Sequence, residues 1–392
     1  MNDVLHPALL PVGLRDLLPP QAAWEAAVVE RLMAVLAGFG YERIKAPLIE
    51  FEESLLSGAG AAMAKETFRL MDPISQRMIG VRADMTPQVA RIAATRLARA
   101  PRPLRLSYAG QVLRVKGSQI RPERQLAQIG AELIGVETAA ADVEAIALAA
   151  GALAGLGVGG LSVDLTLPPL VPAVLASYGI AGEKAEELRA ALDHKDVAGV
   201  AALGGPAADL LSRLVEAAGP ARQAMAALDR IDLRPAASVE RDRLAAVVDG
   251  LAETSPDLRL TIDPVENRNF EYHTGICFTL FAKGVRGELG RGGRYVAEGS
   301  GRSEPATGFS LYVDTILHAL PAPAPARRLY LPLGTPVQEG ARLRGEGWVT
   351  VAGLAPVGDA VAEAARLGCT HAFIDGAARE VAASTARRQP AG

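Results

Sequence analysis

Residues 104–136, LRLSYAGQVLRVKGSQIRPERQLAQIGAELIGV, contain two runs of alternating apolar and polar residues that are joined by a polar segment. This pattern predicts two antiparallel strands. In the second run Gln128, Gly130 and Glu132 are two residues apart, so they lie on the same face of the sheet. A carboxylate and an amide on an inward face are costly unless they are paired. The hairpin is therefore typical either of a polar ligand site or of a charged sheet surface with ion pairs.

Three arginines accompany these polar residues. Arg114 belongs to the first run, and Arg121 and Arg124 lie in the connecting segment. Guanidinium groups above a carboxylate-lined sheet can bind a phosphate or a carboxylate through two parallel hydrogen bonds. Surface ion pairs are the alternative interpretation of the same charge pattern.

The segment VRADMTPQ, residues 81–88, lies between a predicted strand and a predicted helix. Thr86 is suited to the N-cap of that helix and Pro87 to its first turn. The carboxylate of Asp84 and the hydroxyl of Thr86 would suit the ammonium group of a ligand. A capped helix with a solvated Asp84 is the alternative.

Two further segments carry charged groups beside predicted strands. ENRNFEYHTG, residues 266–275, clusters Arg268, Tyr272 and His273, which favours a site, although a lone histidine is more often structural. GELGRGGRYVAEGSG, residues 287–301, is rich in glycine, which lets the backbone approach a ligand closely but also forms ordinary turns. This second segment contains no complete phosphate-binding glycine motif.

Composition narrows the function classes. The chain has 392 residues, 41 basic and 44 acidic side chains and a net charge of −3, so no nucleic-acid partner is expected. Cys277 and Cys369 are far apart, which excludes a disulfide framework, favours the cytoplasm and predicts buried structural thiols. The cysteines and the five histidines show no metal-ligand spacing, so no metal is expected. We also expect no secretion signal and no membrane span, because no apolar run reaches the length of a bilayer-crossing helix.

The pattern also divides the chain into domains. The proline- and alanine-rich residues 321–326 predict a linker between a core, residues 1–320, and a small C-terminal α/β unit, residues 327–392. Within the core, residues 168–256 have a helical, alanine-rich pattern and are flanked by predicted strands, so we interpret them as an insertion into one sheet. The segment YERIKAPLIE, residues 41–50, is predicted to be a strand.

Taken in order, these segments resemble the catalytic core of the histidyl-tRNA synthetases, a class II aminoacyl-tRNA synthetase family. PVGLRDLLP is similar to the opening segment of that family, and VRADMT to a later one, with Asp84 in place of glutamate. The hairpin matches the second class II motif at Arg114 and at its glutamine, glycines and glutamate. RNFEYHTG resembles the histidine-specific segment, with Arg268 and Tyr272 retained and His273 replacing a tyrosine, and GGRY follows. The resemblance implies an α/β (α+β) fold: a class II antiparallel sheet flanked by helices, with a helical insertion and a small C-terminal α/β unit.

One stretch departs from the synthetases. GFSLYVDTIL, residues 308–317, corresponds to the third class II motif, in which a glycine makes room and an arginine binds ATP. Here Tyr312 replaces that glycine, Asp314 a glutamate and Thr315 the arginine. Loss of a charge directed at the phosphates weakens transition-state stabilisation by several kcal/mol. Adenylate formation is therefore not expected.

A synthetase core with this departure resembles the regulatory subunits of ATP phosphoribosyltransferase. The resemblance implies a non-catalytic protein without a cofactor, which a short-form catalytic subunit needs for the first step of histidine biosynthesis. It also implies feedback regulation by histidine, and a homodimer within a hetero-oligomer. A working histidyl-tRNA synthetase and a free-standing amino-acid sensor are the alternatives.

The same resemblance suggests a histidine site in the former amino-acid pocket. Asp84 and Thr86 would hold the ammonium group of histidine. Gln128 and Glu132 would extend that network. A histidine site at the interface with the catalytic subunit would explain feedback equally well, and it stays open at this point.

The other end of histidine would meet a different set of groups. Arg268 would pair with the carboxylate, and Tyr272 and His273 would meet the imidazole. The candidate histidine-binding residues are Asp84, Thr86, Arg114, Gln128, Glu132, Arg268, Tyr272 and His273.

Overall fold

The structure of the protein is a computed structural model, and it describes residues 9–117, 121–266, 272–299 and 301–381. The chain divides into two compact units, Met1–Pro321 and Ala322–Gly392.

The strands of the described residues are numbered in chain order. They are β1 Glu42–Arg43, β2 Ile49–Phe51, β3 Phe68–Met71, β4 Met78–Val81, β5 Leu104–Leu113, β6 Gln125–Ile134, β7 Leu161–Thr166, β8 Gly219–Pro220, β9 Arg259–Asp263, β10 His273–Ala282, β11 Gly290–Gly299, β12 Arg302–Tyr312, β13 Arg328–Leu331, β14 Val349–Ala352, β15 His371–Ile374 and β16 Ala377–Glu380.

The α-helices are numbered in the same way. They are α1 Gln21–Gly38, α2 Glu52–Leu55, α3 Thr86–Ala94, α4 Ala139–Leu156, α5 Leu170–Ser177, α6 Glu183–Asp193, α7 Val197–Leu203, α8 Ala208–Glu216, α9 Ala221–Leu228, α10 Pro235–Thr254, α11 Val313–Ala319, α12 Val337–Gly345 and α13 Ala360–Arg366.

A nine-stranded sheet forms the centre of the first unit, in the order β1-β5-β6-β12-β11-β10-β7-β9-β8. The pairs β1–β5 and β7–β9 are parallel, and the other pairs are antiparallel. The hairpin predicted at residues 104–136 is β5 paired with β6, in which Leu104 lies opposite Ile134 and Leu113 opposite Gln125. This large, mostly antiparallel sheet confirms the predicted fold class.

The long helix α4 packs with α1 on one side of this sheet. Its alanine and leucine residues have high helix propensity, and it ends at Gly157, whose φ of 99° is left-handed. By length and mean hydropathy, 18 residues at 1.6, α4 could span a bilayer, so the expectation that no run is long and apolar enough was wrong. More than half of α4 is buried inside the fold, and it contacts α10 as well as α1, as a core helix does.

Helix α3 and a short 3-10 helix, Gly58–Met63, cover part of the opposite face near β11. The expectation that Thr86 is the N-cap of α3 was wrong: the N-cap is Met85, and Thr86 is the first helical residue. The side chain of Asp84 accepts a hydrogen bond from the Thr86 backbone N–H at 2.8 Å, as a capping group would. The Thr86 hydroxyl is therefore available to the buried groups of the sheet.

The segment YERIKAPLIE does not form one strand. Glu42–Arg43 pairs with β5 in the large sheet, whereas Ile49–Phe51 belongs to a separate three-stranded sheet in the order β2-β4-β3. Pro47 lies between the two strands and has no N–H for a sheet hydrogen bond, which explains the interruption.

Residues 168–256 contain helices α5 to α10 and the two-residue strand β8. They connect β7 to β9, which are parallel neighbours in the large sheet. Parallel neighbours require a long crossover, and helices usually supply it.

The second unit has a four-stranded sheet in the order β14-β13-β15-β16 with helices α12 and α13. The first two pairs are parallel, and β15–β16 is antiparallel. Two small apolar clusters stabilise it, one around Tyr330 and Cys369 and one around Leu331 and Trp348.

Candidate ligand-binding site

Two glycines, Gly293 and Gly308, form the floor of a cavity on the α3 side of the sheet. Strand register places Gly308 between Glu132 and Gly293, and Gly130 on the neighbouring row. A Cβ atom at Gly308 would collide with the Glu132 carboxylate, and one at Gly293 would press on the ring of His273. Because any larger residue would clash at these positions, the floor requires glycine there. The residues that a side chain would strike come from other strands, far away in the sequence.

The cavity has a volume of about 150 Å³. A cavity of this size accepts a single small ring, so it suits a ligand of amino-acid size rather than a nucleotide. Its polar and aromatic lining comes from Glu66, Asp84, Thr86, Glu132, Tyr272, His273, Arg291, Tyr295, Ser310 and Tyr312.

Glu132 is the most deeply buried acid of the cavity, with 1% of its surface exposed. One carboxylate oxygen accepts hydrogen bonds from Thr86 Oγ1 at 3.1 Å and from Tyr108 Oη at 3.2 Å. The other accepts from Tyr295 Oη at 3.0 Å. In the described part of the chain Glu132 forms no ion pair, so neutral donors alone hold it.

Burial raises the pKa of Glu132 to about 8, although the hydroxyls of Tyr295, Thr86 and Tyr108 act in the opposite direction. A nearby positive charge would favour the ionised form. The carboxyl group is therefore set to gain from a cationic ligand.

Asp84 lies beside Glu132 at the start of α3. Gln128 donates from Nε2 to Asp84 Oδ2 at 3.2 Å and to Ser310 Oγ at 2.6 Å, and its Oε1 accepts from the Met85 backbone N–H at 3.1 Å. These bonds fix the start of the helix against the sheet and hold the Asp84 carboxylate at the cavity wall.

An aromatic wall stands beside the acids. The rings of Tyr272 and His273 are 4.0 Å apart between centroids, and Tyr272 meets Tyr295 edge-on at 6.2 Å. The register of β10 shifts between His273 and Cys277, an irregularity that redirects side chains at the end of the strand. Burial raises the pKa of the Tyr272 phenol well above its usual value, so this phenol stays neutral.

Tyr312 lines the cavity and belongs to a group of four residues that we call the Arg121 cluster: Arg121, Tyr312, Asp314 and Thr315. Arg121 Nε lies 3.3 Å from Asp314 Oδ2, and its Nη2 donates to Thr315 Oγ1 at 2.8 Å. Nη2 also donates to the Glu288 carbonyl oxygen at 3.1 Å, and the guanidinium lies 4.2 Å from the centroid of the Tyr312 ring. The chain itself thus supplies partners for the charges of this cluster.

Strand β11 carries two arginines on opposite faces of the sheet. Arg294 faces away from the cavity, where it forms a buried salt bridge with Asp142 at 2.9 Å and donates to the carbonyl oxygens of Val136 and Thr138. Arg291 lines the cavity, opposite Ser310 on β12.

Five of the eight residues predicted for the site line this cavity: Asp84, Thr86, Glu132, Tyr272 and His273. Gln128 is not part of the lining, but it donates hydrogen bonds to the lining residues Asp84 and Ser310. Arg114 lies apart from the lining and pairs with Glu66 at 3.5 Å. Arg268 lies outside the described residues.

Sequence reasoning missed Tyr108, Tyr295, Ser310 and Arg291 as parts of the site. Arg291 and Tyr295 are each two residues from Gly293 on β11, and Ser310 is two residues from Gly308 on β12. Tyr108 on β5 lies directly opposite Gly130 on β6. Alternation along β11 and β12 could have indicated Arg291 and Ser310, but only after the pairing of those strands was known.

In the described residues no three histidine, cysteine, aspartate or glutamate side chains gather as metal ligands would. Cys277 and Cys369 are both buried free thiols, and burial raises the pKa of Cys277 well above its usual value.

Comparison with known proteins identifies the fold and the family of the chain. The family model for histidyl-tRNA synthetase matches residues 13–316. The ATP phosphoribosyltransferase regulatory subunit of Paramagnetospirillum magneticum is 61% identical over 371 residues, 95% of this chain and 97% of that protein. The protein of the same name from Rhodospirillum centenum is 60% identical, over 97% of this chain and 98% of its own.

Solved structures share the fold. A crystal structure described as an ATP phosphoribosyltransferase regulatory subunit/histidyl-tRNA synthetase from Bacillus halodurans matches with a TM-score of 0.80 at 25% identity, covering 91% of this chain and 95% of that one. Histidyl-tRNA synthetase from Nostoc matches with a TM-score of 0.77 at 18% identity, covering 94% and 91%, which is a likeness of fold alone.

The fold, with its large sheet, is that of the histidyl-tRNA synthetase-like class II proteins. Within that class the chain belongs to the family of ATP phosphoribosyltransferase regulatory subunits.

Proposed function

We propose that this regulatory subunit is non-catalytic and that it binds free histidine in the cavity above the glycine floor, as the signal for feedback on a short-form ATP phosphoribosyltransferase catalytic subunit. The observation that carries the proposal is the difference between the acidic side of the cavity and the Arg121 cluster. The acids Asp84 and Glu132 form no ion pair in the described residues, whereas Arg121 is bonded to groups of its own chain.

The acidic side suits an ammonium group. Charges taken out of water need a partner of opposite sign, and Glu132 has only hydroxyl donors. A ligand ammonium would supply that partner. Beside it, the rings of Tyr272 and His273 offer a flat surface and polar edges to an imidazole.

The contacts of the Arg121 cluster support the proposal that the chain is non-catalytic. Thr315 stands where the resembling synthetase motif has an arginine, and its hydroxyl accepts a hydrogen bond from Arg121. Tyr312 fills the space of a glycine and is 1% exposed. A neutral hydroxyl cannot stabilise charge that develops on a transferring phosphoryl group as a guanidinium can.

Regulation would follow from differential affinity. A ligand that binds one state of the assembly better than another shifts the equilibrium towards it, typically by ~1–3 kcal/mol. Histidine held between α3 and the sheet would favour the state in which these elements lie closest.

Assembly as a homodimer within a hetero-oligomer is part of the proposal. Apolar side chains are exposed on and beside the three-stranded sheet, and large exposed apolar patches mark interaction surfaces. These side chains are Leu48, Ile49, Leu70, Met71, Ile74 and Met78.

The test combines two assays in a cytoplasm-like reducing buffer. Formation of phosphoribosyl-ATP by a short-form catalytic subunit is measured with and without this chain, and histidine-dependent ATP–pyrophosphate exchange is measured with the chain alone. We expect activity that depends on the chain, falls as histidine rises, and is accompanied by no exchange. Steady exchange would instead favour a working synthetase, and no effect on the partner would favour a free-standing sensor.

A further inference from the structure

Arg291 is the cationic side chain in the cavity lining, and the proposed function gives it no role. Strand register places it between Ser310 on β12 and Thr279 on β10, on the same sheet face as the glycine floor. It is partly buried. The pKa of Arg291 is raised by its neighbours Tyr312, Glu288, Tyr272 and Asp84, in that order of effect, although burial acts in the opposite direction.

Other enclosed arginines of the chain are bonded to internal acceptors. Arg294, three residues along the same strand, has a carboxylate and two carbonyl oxygens. Arg82 donates to the carbonyl oxygens of Gln111 and Ala46 and to the side chain of Gln88. Arg291, by contrast, donates no hydrogen bond and forms no ion pair among the residues that the structure describes.

A guanidinium that is largely withdrawn from water and forms no hydrogen-bonded ion pair carries a desolvation cost that an anion can offset. Its planar shape matches a carboxylate through two parallel hydrogen bonds. The same cavity presents Asp84 and Glu132 to a cation. A ligand with one positive and one negative group is the chemistry that satisfies both sets.

We propose that Arg291 binds the α-carboxylate of the amino acid in this cavity and thereby makes the site selective for the complete amino acid over its amine and alcohol analogues. This inference rests on the proposed histidine site and adds to it the residue that recognises the carboxylate.

The test is a calorimetric titration of the full chain with L-histidine, L-histidinol and histamine. The variants are Arg291→Gln, Arg291→Lys and, as a matched control, Arg286→Gln, which removes an exposed charge from the β10–β11 connection. Arg291→Gln should weaken histidine binding roughly 10- to 100-fold and leave histidinol and histamine within about twofold. Arg291→Lys should weaken histidine binding less than Arg291→Gln does. Arg286→Gln should bind histidine with the wild-type affinity.

The outcomes separate this inference from the function on which it rests. If Arg291→Gln keeps the wild-type preference for histidine over histidinol, Arg291 does not read the carboxylate, while the histidine site stands. If the wild-type chain binds histidine neither alone nor with the catalytic subunit, both ideas fail. Should Arg291→Gln not fold, Arg291→Lys decides: unchanged discrimination between histidine and histidinol overturns the inference.

Discussion

The acidic side of the cavity and the Arg121 cluster hold charged groups in two different ways. Glu132 and Asp84 are bonded to hydroxyls, an amide and a backbone N–H, all of them neutral donors. Arg121 has a carboxylate, a hydroxyl, a carbonyl oxygen and an aromatic ring from its own chain. The Arg121 cluster therefore has its charged partner within the chain, whereas Glu132 and Asp84 accept only from neutral donors and form no ion pair in the described residues. On the proposed function, this difference would let a synthetase-like sheet bind an amino acid without binding a nucleotide.

The largest effect is expected from removing the charge on the acidic side. Glu132→Gln keeps the shape but cannot pair with an ammonium group, so histidine binding should weaken about 1000-fold, or about 4 kcal/mol. Calorimetry at pH 8 measures it, with the exposed Glu137→Gln as control. If Glu132→Gln binds histidine as tightly as the control Glu137→Gln does, Glu132 is not part of the histidine site.

In the Arg121 cluster, Arg121→Ala should destabilise the chain and leave its affinity for histidine unchanged. Asp314 would stay mostly buried without its cation, at a cost of about 3 kcal/mol in the free energy of unfolding. Urea denaturation followed by fluorescence measures that cost, and histidine titration of the folded variant should give the wild-type affinity. A loss of histidine binding without a loss of stability would contradict the separation of the two regions.

Histidine affinity should also depend on pH through Glu132. Its pKa of about 8 in the empty cavity means that it is mostly protonated at pH 7, and a bound ammonium lowers that pKa. Binding then releases a proton below pH 8, so affinity should rise by about fivefold between pH 7 and pH 8. Titrations in buffers with different ionisation enthalpies would measure the proton release.

The matched control for this pH effect is Glu132→Gln, which has no carboxyl group to titrate. A rise of the same size in this variant would show that the ligand or another group titrates instead.

The smallest effect is expected at Thr315. Thr315→Ala removes one acceptor from Arg121 but leaves Asp314 and the Glu288 carbonyl, so the free energy of unfolding should fall by only about 1 kcal/mol. The same measurement on Thr350→Ala, whose hydroxyl accepts from an exposed arginine, should show almost no change. A cost for Thr315→Ala as large as that of Arg121→Ala would mean that the hydroxyl, not the carboxylate, holds the arginine.

The hairpin β5–β6 was predictable because its information is local. Alternation places Gln128, Gly130 and Glu132 on one face, and a buried amide and carboxylate on such a face already indicate a site. The strands on both sides of residues 168–256 were likewise predictable as members of one sheet, since the helical pattern between them is long enough for a crossover.

Other features depend on partners that are distant in sequence. The roles of Gly293 and Gly308 follow from the pairing of β11 with β12 and of β12 with β6, which periodicity within one strand does not determine. Thr86 looked like a helix cap because the competing acceptor, Glu132, is 46 residues away. The contacts of Arg121 with Asp314 and Thr315 likewise bridge about half of the chain.

The most direct measurement is the histidine titration of phosphoribosyl-ATP formation by the assembled catalytic and regulatory chains, with Glu132→Gln compared with the wild type. We predict that the wild-type chain and Glu132→Gln stimulate the catalytic subunit equally. Histidine should inhibit only the assembly that contains the wild-type chain. Inhibition of both assemblies at the same histidine concentration would contradict it, because the effector would then act from a site outside this cavity.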